Sequence, residues 1–165
     1  ASLDISSLDA GSKLTLIFSM LLGGGAGSTA GGIKILRLLI LVQLLYVFLQ
    51  RAGMPRQAVT NISLGKRRLE AEELQNALSI VIIFLAFIAV SWLFFLGMGY
   101  DPLNSLFEVV SAIGTVGLST GISAHDLHPL LKGVLCVDMF LGRLEILAWL
   151  VLFYPRTWIG RRLEE

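Results

Sequence analysis

The stretch Leu-Phe-Glu-Val-Val-Ser-Ala-Ile-Gly-Thr-Val-Gly-Leu-Ser-Thr-Gly (106–121) decides how this chain of 165 residues is read. Its first half continues an apolar run from Leu103 to Ile113. That run is roughly ten residues, about half of the ~20 that carry a helix across a ~30 Å hydrocarbon core. Its second half, Gly114 to Gly121, alternates glycines with hydroxyl-bearing and apolar residues. Short apolar segments of this kind are commonly re-entrant. Non-helical backbone at membrane depth is tolerated only where protein buries it or where it lines a wet cavity.

The same order occurs upstream. The apolar run from Lys13 to Leu22 leads into Gly-Gly-Gly-Ala-Gly-Ser-Thr-Ala-Gly-Gly (23–32). Each glycine run is followed by a longer apolar segment, one over Ile33 to Gln50 and one over Leu130 to Phe153. Half-helix, glycine strand and full helix therefore appear twice, about 90 residues apart, an internal repeat. Between them Leu74 to Tyr100 holds no charged residue, and the spacing predicts a membrane-crossing helix over 74–96. Leu38 to Gln50 is short for a clean crossing, which points to a tilted or broken helix.

Composition agrees. Hydrophobic residues make up 55% and charged residues 15%, against about 45–50% and about 25% in soluble domains; mean hydropathy is +0.79. A net charge of +1 excludes a strong field for nucleic acid, and the one cysteine, Cys136, excludes an internal disulfide or a paired-cysteine metal site. Lys and Arg cluster in 51–72 and in the tail, as Arg51, Arg56, Lys66, Arg67, Arg68, Arg156, Arg161 and Arg162. The positive-inside rule then puts the 53–72 connection and the C-terminus in the cytoplasm, and both glycine runs start from the outer face. Lys34 and Arg37 fit this less well, at the outer end of their span. The polar opening Ala1-Ser2-Leu3-Asp4, without a basic region, does not read as a signal peptide.

Backbone carbonyls inside a membrane need partners, and a dehydrated cation is one. Glycine allows the dihedrals that aim successive carbonyls at one axis. Thr115-Val116-Gly117 has that composition, with Val116 expected to pack behind the strand. Each preceding half-helix points its negative C-terminal end at the same place, which favours a cation. Close packing of the GxxxG kind is the competing reading of Gly27-Ser28-Thr29-Ala30-Gly31. Filter carbonyls are expected at Gly25, Ala26, Gly27 and Ser28 and at Thr115, Val116, Gly117 and Leu118.

The runs Gly-Ser-Thr-Ala-Gly-Gly-Ile-Lys (27–34), Gly-Thr-Val-Gly-Leu-Ser-Thr-Gly (114–121) and Met-Phe-Leu-Gly-Arg-Leu-Glu-Ile (139–146) resemble the TrkH/KtrB superfamily of potassium transporters. The resemblance implies an all-α integral membrane fold of potassium-channel-like helix–pore-loop–helix repeats, here about one and a half of four. Residues 1–52 would be the third-repeat pore helix, filter and inner helix; 73–154 the fourth repeat; 155–165 a cytoplasmic tail. It implies filter glycines at Gly27 and Gly117, and places Arg143 in the pore below the filter. The expected protein is a multi-pass component of the cell inner (cytoplasmic) membrane that takes up potassium, or sodium, without cofactor or covalent chemistry. Its expected partners are the rest of the four-repeat pore on the same or another chain, a second copy in a homodimer, a cytosolic nucleotide-binding regulatory subunit and the bilayer, with no nucleic acid. Two strands cannot surround an ion, so the chain is expected to be a fragment or to associate. Ala30 stands where the family usually has glycine. Its second filter looks closer to KtrB and its Gly-Arg-Leu-Glu closer to TrkH. A sodium- or proton-coupled secondary transporter with broken helices and a non-conducting assembly subunit are the alternatives.

Three charges in apolar surroundings need roles. Arg143 lies well inside its span, where a charge costs about 2.5–3.5 kcal/mol by insertion scales; it should face a wet cavity, or pair across helices. Glu108, inside the half-helix, is expected to brace the filter by accepting backbone hydrogen bonds, or else to snorkel. Asp138 is expected to line an aqueous face. Gly117-Leu118-Ser119-Thr120-Gly121 matches the hydrolase elbow, but its only histidines, His125 and His128, sit close behind on a loop. The first glycine run lacks the Gly-Lys-Ser/Thr ending of a phosphate loop. Asn61-Ile62-Ser63 is a glycosylation sequon on the side read as cytoplasmic, and Lys66-Arg67-Arg68 is a candidate docking point for a cytosolic partner.

Overall fold

The computed structural model describes residues 5–25, 31–52, 63–64, 67–68 and 71–143. A single 3-10 turn at Ile5–Ser7 precedes helix α1, Ala10–Leu21. Asp9 stands in extended backbone before α1, and its Oδ2 accepts the Gly11 N–H at 3.2 Å, which satisfies an otherwise orphaned donor. Helix α4, Pro102–Ile113, starts the same way: Asp101 Oδ2 accepts the Asn104 N–H at 3.0 Å, and Pro102 occupies the first turn. The two capping aspartates lie 92 residues apart and each opens a helix of 12 residues. The half-helix, the first part of the expected repeat, is therefore present twice.

α2, Ile35–Ala52, follows the first glycine run. That run is pinched at its base: Leu22 and Ile33 form a parallel bridge, with Gly23 N–H donating to Ile33 O at 2.8 Å and Ile33 N–H to Leu21 O at 2.9 Å. The connection after α2 carries a short antiparallel ladder between β1, Ser63–Leu64, and β2, Arg67–Arg68, the one departure from helix among the described elements.

α3, Ala71–Gly97, is 27 residues long, about 40 Å at 1.5 Å per residue. Among the described residues it is the one helix long and apolar enough to cross a membrane, over Glu72–Gly97. Glu72 and Glu73 sit in its first turn, where the helix dipole favours acids. Ala77, Ile80, Val81, Phe84, Ile88, Ser91 and Phe95 are buried, recurring at helical spacing on one face. The opposite face stays apolar, with Ile82, Leu85, Val90 and Leu93 exposed. A helix apolar all round belongs in a core or a bilayer.

α3 ends in a tight turn in which Tyr100 N–H returns to Phe95 O at 3.2 Å and the two rings pack edge to face at 5.8 Å. α4 then enters the middle of the molecule. Phe107, Val109, Val110 and Ile113 are almost wholly buried, packed against α1, α3 and α5, Pro129–Arg143. Residues 144–165, the rest of the expected third span and the tail, lie outside the described residues.

Asp138 departs from its expected place on an aqueous face. It is 1% exposed, and Ser91 of α3 donates to its Oδ1 at 2.7 Å. Its position on α5 turns it toward α3, so it is a buried inter-helix contact. Its Oδ2 has no hydrogen-bond partner among the described residues.

Candidate functional site

The C-terminal ends of α1 and α4 and the two glycine runs meet at one place. A Cβ built on Gly31 would stand 2.7 Å from Gly114 O, and one on Gly114 would stand 3.1 Å from Met20 O. Gly31 N–H donates to Thr115 Oγ1 at 3.1 Å, a direct link between the runs. The last turn of α4 tightens through Thr115 N–H to Ala112 O at 3.0 Å and Val116 N–H to Ser111 O at 3.0 Å.

Beyond it the chain is non-helical to Gly121. Thr115 has φ 54 and Gly117 φ 80, both in the left-handed region that glycine alone adopts freely. Val116, expected to pack behind the strand, is 44% exposed among the described residues. A helix cannot accommodate these dihedrals at 115 and 117; residues 26–30, where the GxxxG reading fell, lie outside the described residues.

Glu108 fixes the far end of the run. It is 4% exposed, which excludes the snorkelled reading. Its Oε1 accepts Ser119 Oγ at 2.7 Å, Thr120 N–H at 2.8 Å and Thr120 Oγ1 at 3.1 Å. Ser111 Oγ donates to Leu118 O at 2.6 Å, a second tie between α4 and the strand. Ser119 Oγ also accepts the Gly121 N–H and contacts Ser123 Oγ. That serine is therefore engaged with a carboxylate and backbone, with no histidine beside it. His128 instead caps α5, its Nδ1 accepting the Leu130 N–H at 3.2 Å.

A cavity of about 440 Å³ runs along this assembly. Thr115, Gly117 and Leu118 line it from the strand, Glu108 and Ser111 from α4, and Arg143 from α5. Arg143 and Gly117, far apart in sequence, thus share one cavity. α5 reaches it because Gly142 lies against the Ile113 carbonyl at the end of α4, an approach that any Cβ would block.

Of the first run, Gly25 is exposed in non-helical backbone, and a Cβ there would meet open space. Ala26, Gly27 and Ser28 lie outside the described residues. Among the described residues no cluster of His, Cys, Asp or Glu could hold a metal ion.

Sequence reasoning missed three features: the Gly142 approach, the Gly31–Thr115 bond, and a buried lysine. Lys13 of α1 is 7% exposed and donates from Nζ to Asn104 Oδ1 at 2.9 Å and to Ser6 O at 3.2 Å. A charge within an apolar half-helix was the available signal.

Comparison with known proteins agrees with this architecture. A family model described as TrkH, cation transport protein, matches residues 1–158. An uncharacterized cation transporter of Methanocaldococcus jannaschii is 32% identical over 152 residues, covering 92% of this chain and 32% of that protein. The Trk system potassium uptake protein TrkH of Escherichia coli K12 is 34% identical over 146 residues, covering 87% of this chain and 30% of that protein. The crystal structure of the potassium transporter TrkH from Vibrio parahaemolyticus superposes with a TM-score of 0.79 at 31% identity, over 91% of this chain and 32% of that one. The chain spans about a third of the length of the curated relatives it matches. These relatives are transporters or uptake proteins of cations. With nearly its whole length matched, the chain belongs to the TrkH family of cation transport proteins.

Proposed function

We propose that this chain forms part of a potassium-conducting pore, and that carbonyls of Thr115, Val116, Gly117 and, through the lone pair that Ser111 Oγ leaves open, Leu118 replace the hydration shell of the ion. Gly25, Ala26, Gly27 and Ser28 supply the matching strand from the first repeat. The observation that carries this reading is the left-handed, non-helical run at 115–117 on the wall of the cavity it shares with Arg143. Such backbone is strained for a threonine and is retained where surrounding structure holds it for a purpose. The negative ends of α1 and α4 converge there, which favours a cation over an anion. Arg143, a fixed positive charge in the same cavity, shortens the dwell of cations below the filter and so sets throughput.

The remaining strands come from the rest of a four-repeat pore. Potassium enters down the membrane potential, and sodium is the competing ion. The assembly is a homodimer in the cytoplasmic membrane, with 53–72 and the C-terminus inside and a nucleotide-binding subunit docked on the cytoplasmic face. The similarity to a potassium uptake protein of a Trk system supports the ion and a multi-component assembly.

Gly117→Ala tests the filter. A Cβ at Gly117 meets open space, so the substitution adds no collision. It opposes φ 80 at a cost of about 1–2 kcal/mol. The expected result is intact protein in the membrane with reduced rubidium uptake and weakened discrimination against sodium. Wild-type uptake and selectivity in that variant would overturn the reading.

A further inference from the structure

We infer that Lys13 and Asn104 form a spacer that sets the separation of the two filter strands, and so act as positioning residues for ion selectivity; this rests on the pore reading above. The two residues lie in the opening turns of the two half-helices, 91 residues apart in sequence, and their side chains meet at 2.9 Å. Lys13 is in an unfavourable place for a cation. It is buried, and it stands near the N-terminal, positive end of α1. An ammonium is retained there because its hydrogen bonds are made, to Asn104 Oδ1 and to Ser6 O. Asn104 is itself immobilised, since its backbone N–H is capped by Asp101.

The link has a counterpart at the other end of the same helices. There Gly31 N–H donates to Thr115 Oγ1, and the α1 and α4 carbonyl ends lie against the glycine runs. Near that end Gly114 also lies against Met20 O, so α1 and α4 approach each other at both ends. Each leads directly into a glycine run, so a change in the distance between their outer ends moves one run relative to the other. Carbonyl spacing is what a filter reads. Among the described residues the hydrogen bonds of Lys13 Nζ go to Ser6 and Asn104 and to no filter atom, so it acts through the helix it anchors.

The test is rubidium uptake, with and without competing sodium, by the complete transporter carrying this chain in cells lacking other potassium uptake. Three variants are compared at matched membrane abundance: Lys13→Met, Asn104→Leu and the double substitution. Asn104→Leu removes the acceptor and leaves the positive charge in place. The expected result is that each single variant raises the apparent KM for rubidium and weakens discrimination against sodium by about tenfold or more, the scale of a lost hydrogen bond to a charged group, with the double variant no worse than either. Wild-type selectivity in Asn104→Leu would overturn the inference, and if Lys13→Met alone altered selectivity the effect would be the charge and not the spacing. Should Lys13→Met fail to reach the membrane, Asn104→Leu still decides. Failure of the wild type itself to prefer rubidium over sodium would count against the pore reading, not against the spacer alone.

Discussion

Glu108 has one oxygen engaged by three donors, and its position explains why an acidic residue sits in an apolar half-helix. Thr120 N–H is buried, and with Glu108 removed it would lose its partner. An unsatisfied buried donor costs about 1–3 kcal/mol. Glu108→Ala should therefore lower the melting temperature in detergent and reduce uptake. Glu108→Gln keeps an acceptor oxygen and should retain most of both. Equal loss in the two variants would mean that the charge matters and the hydrogen bonds do not. The sequence made Glu108 legible as a brace, because a carboxylate among Phe107, Val109 and Val110 requires donors. It did not identify Ser119 and Thr120 as those donors, since that depends on how the strand doubles back. Asp138 was misplaced for a related reason. Its partner Ser91 lies 47 residues away on a helix whose register against α5 no local pattern reveals.

At the scale of elements, α5 meets the end of α4 through Gly142. Its missing side chain lets α5 lie against the Ile113 carbonyl, which α4 cannot withdraw without unwinding into the filter run. Gly142→Ala should cost about 1–3 kcal/mol or more by overpacking, and should depress uptake because 114–118 hang from that carbonyl end. Gly133, on the same helix, faces open space, so Gly133→Ala serves as the control and should be neutral or stabilising by up to about 1 kcal/mol. Thermal melting and rubidium uptake on both variants check this, and similar behaviour of the two would remove Gly142 from the account. Helices were the most legible part of the chain. α3 follows from an absence of charge, and α1 and α4 from apolar runs bounded by Asp9 or Asp101 and by glycine. The β1–β2 ladder was not legible: two residues per strand leave no period to read.

In the whole molecule the repeat is the organising fact. Two half-helices, 92 residues apart at their caps, bring two glycine runs together; α3 and α5 pack against α4, and α2 packs against α3. Much of the outer surface is apolar, with Phe18, Phe48, Leu49 and Leu93 each more than 60% exposed. A surface of that kind calls for lipid or further protein. The sequence could reveal the repeat because glycine runs after half-length apolar segments are rare. It could not reveal how the runs meet, which rests on contacts between backbones. The most direct measurement is a structure of the complete transporter in rubidium, using anomalous scattering to locate the ion. The account predicts a rubidium peak coordinated by carbonyls of 115–118 and of the first glycine run. It is contradicted if rubidium is transported while those carbonyls face protein and the ion lies elsewhere.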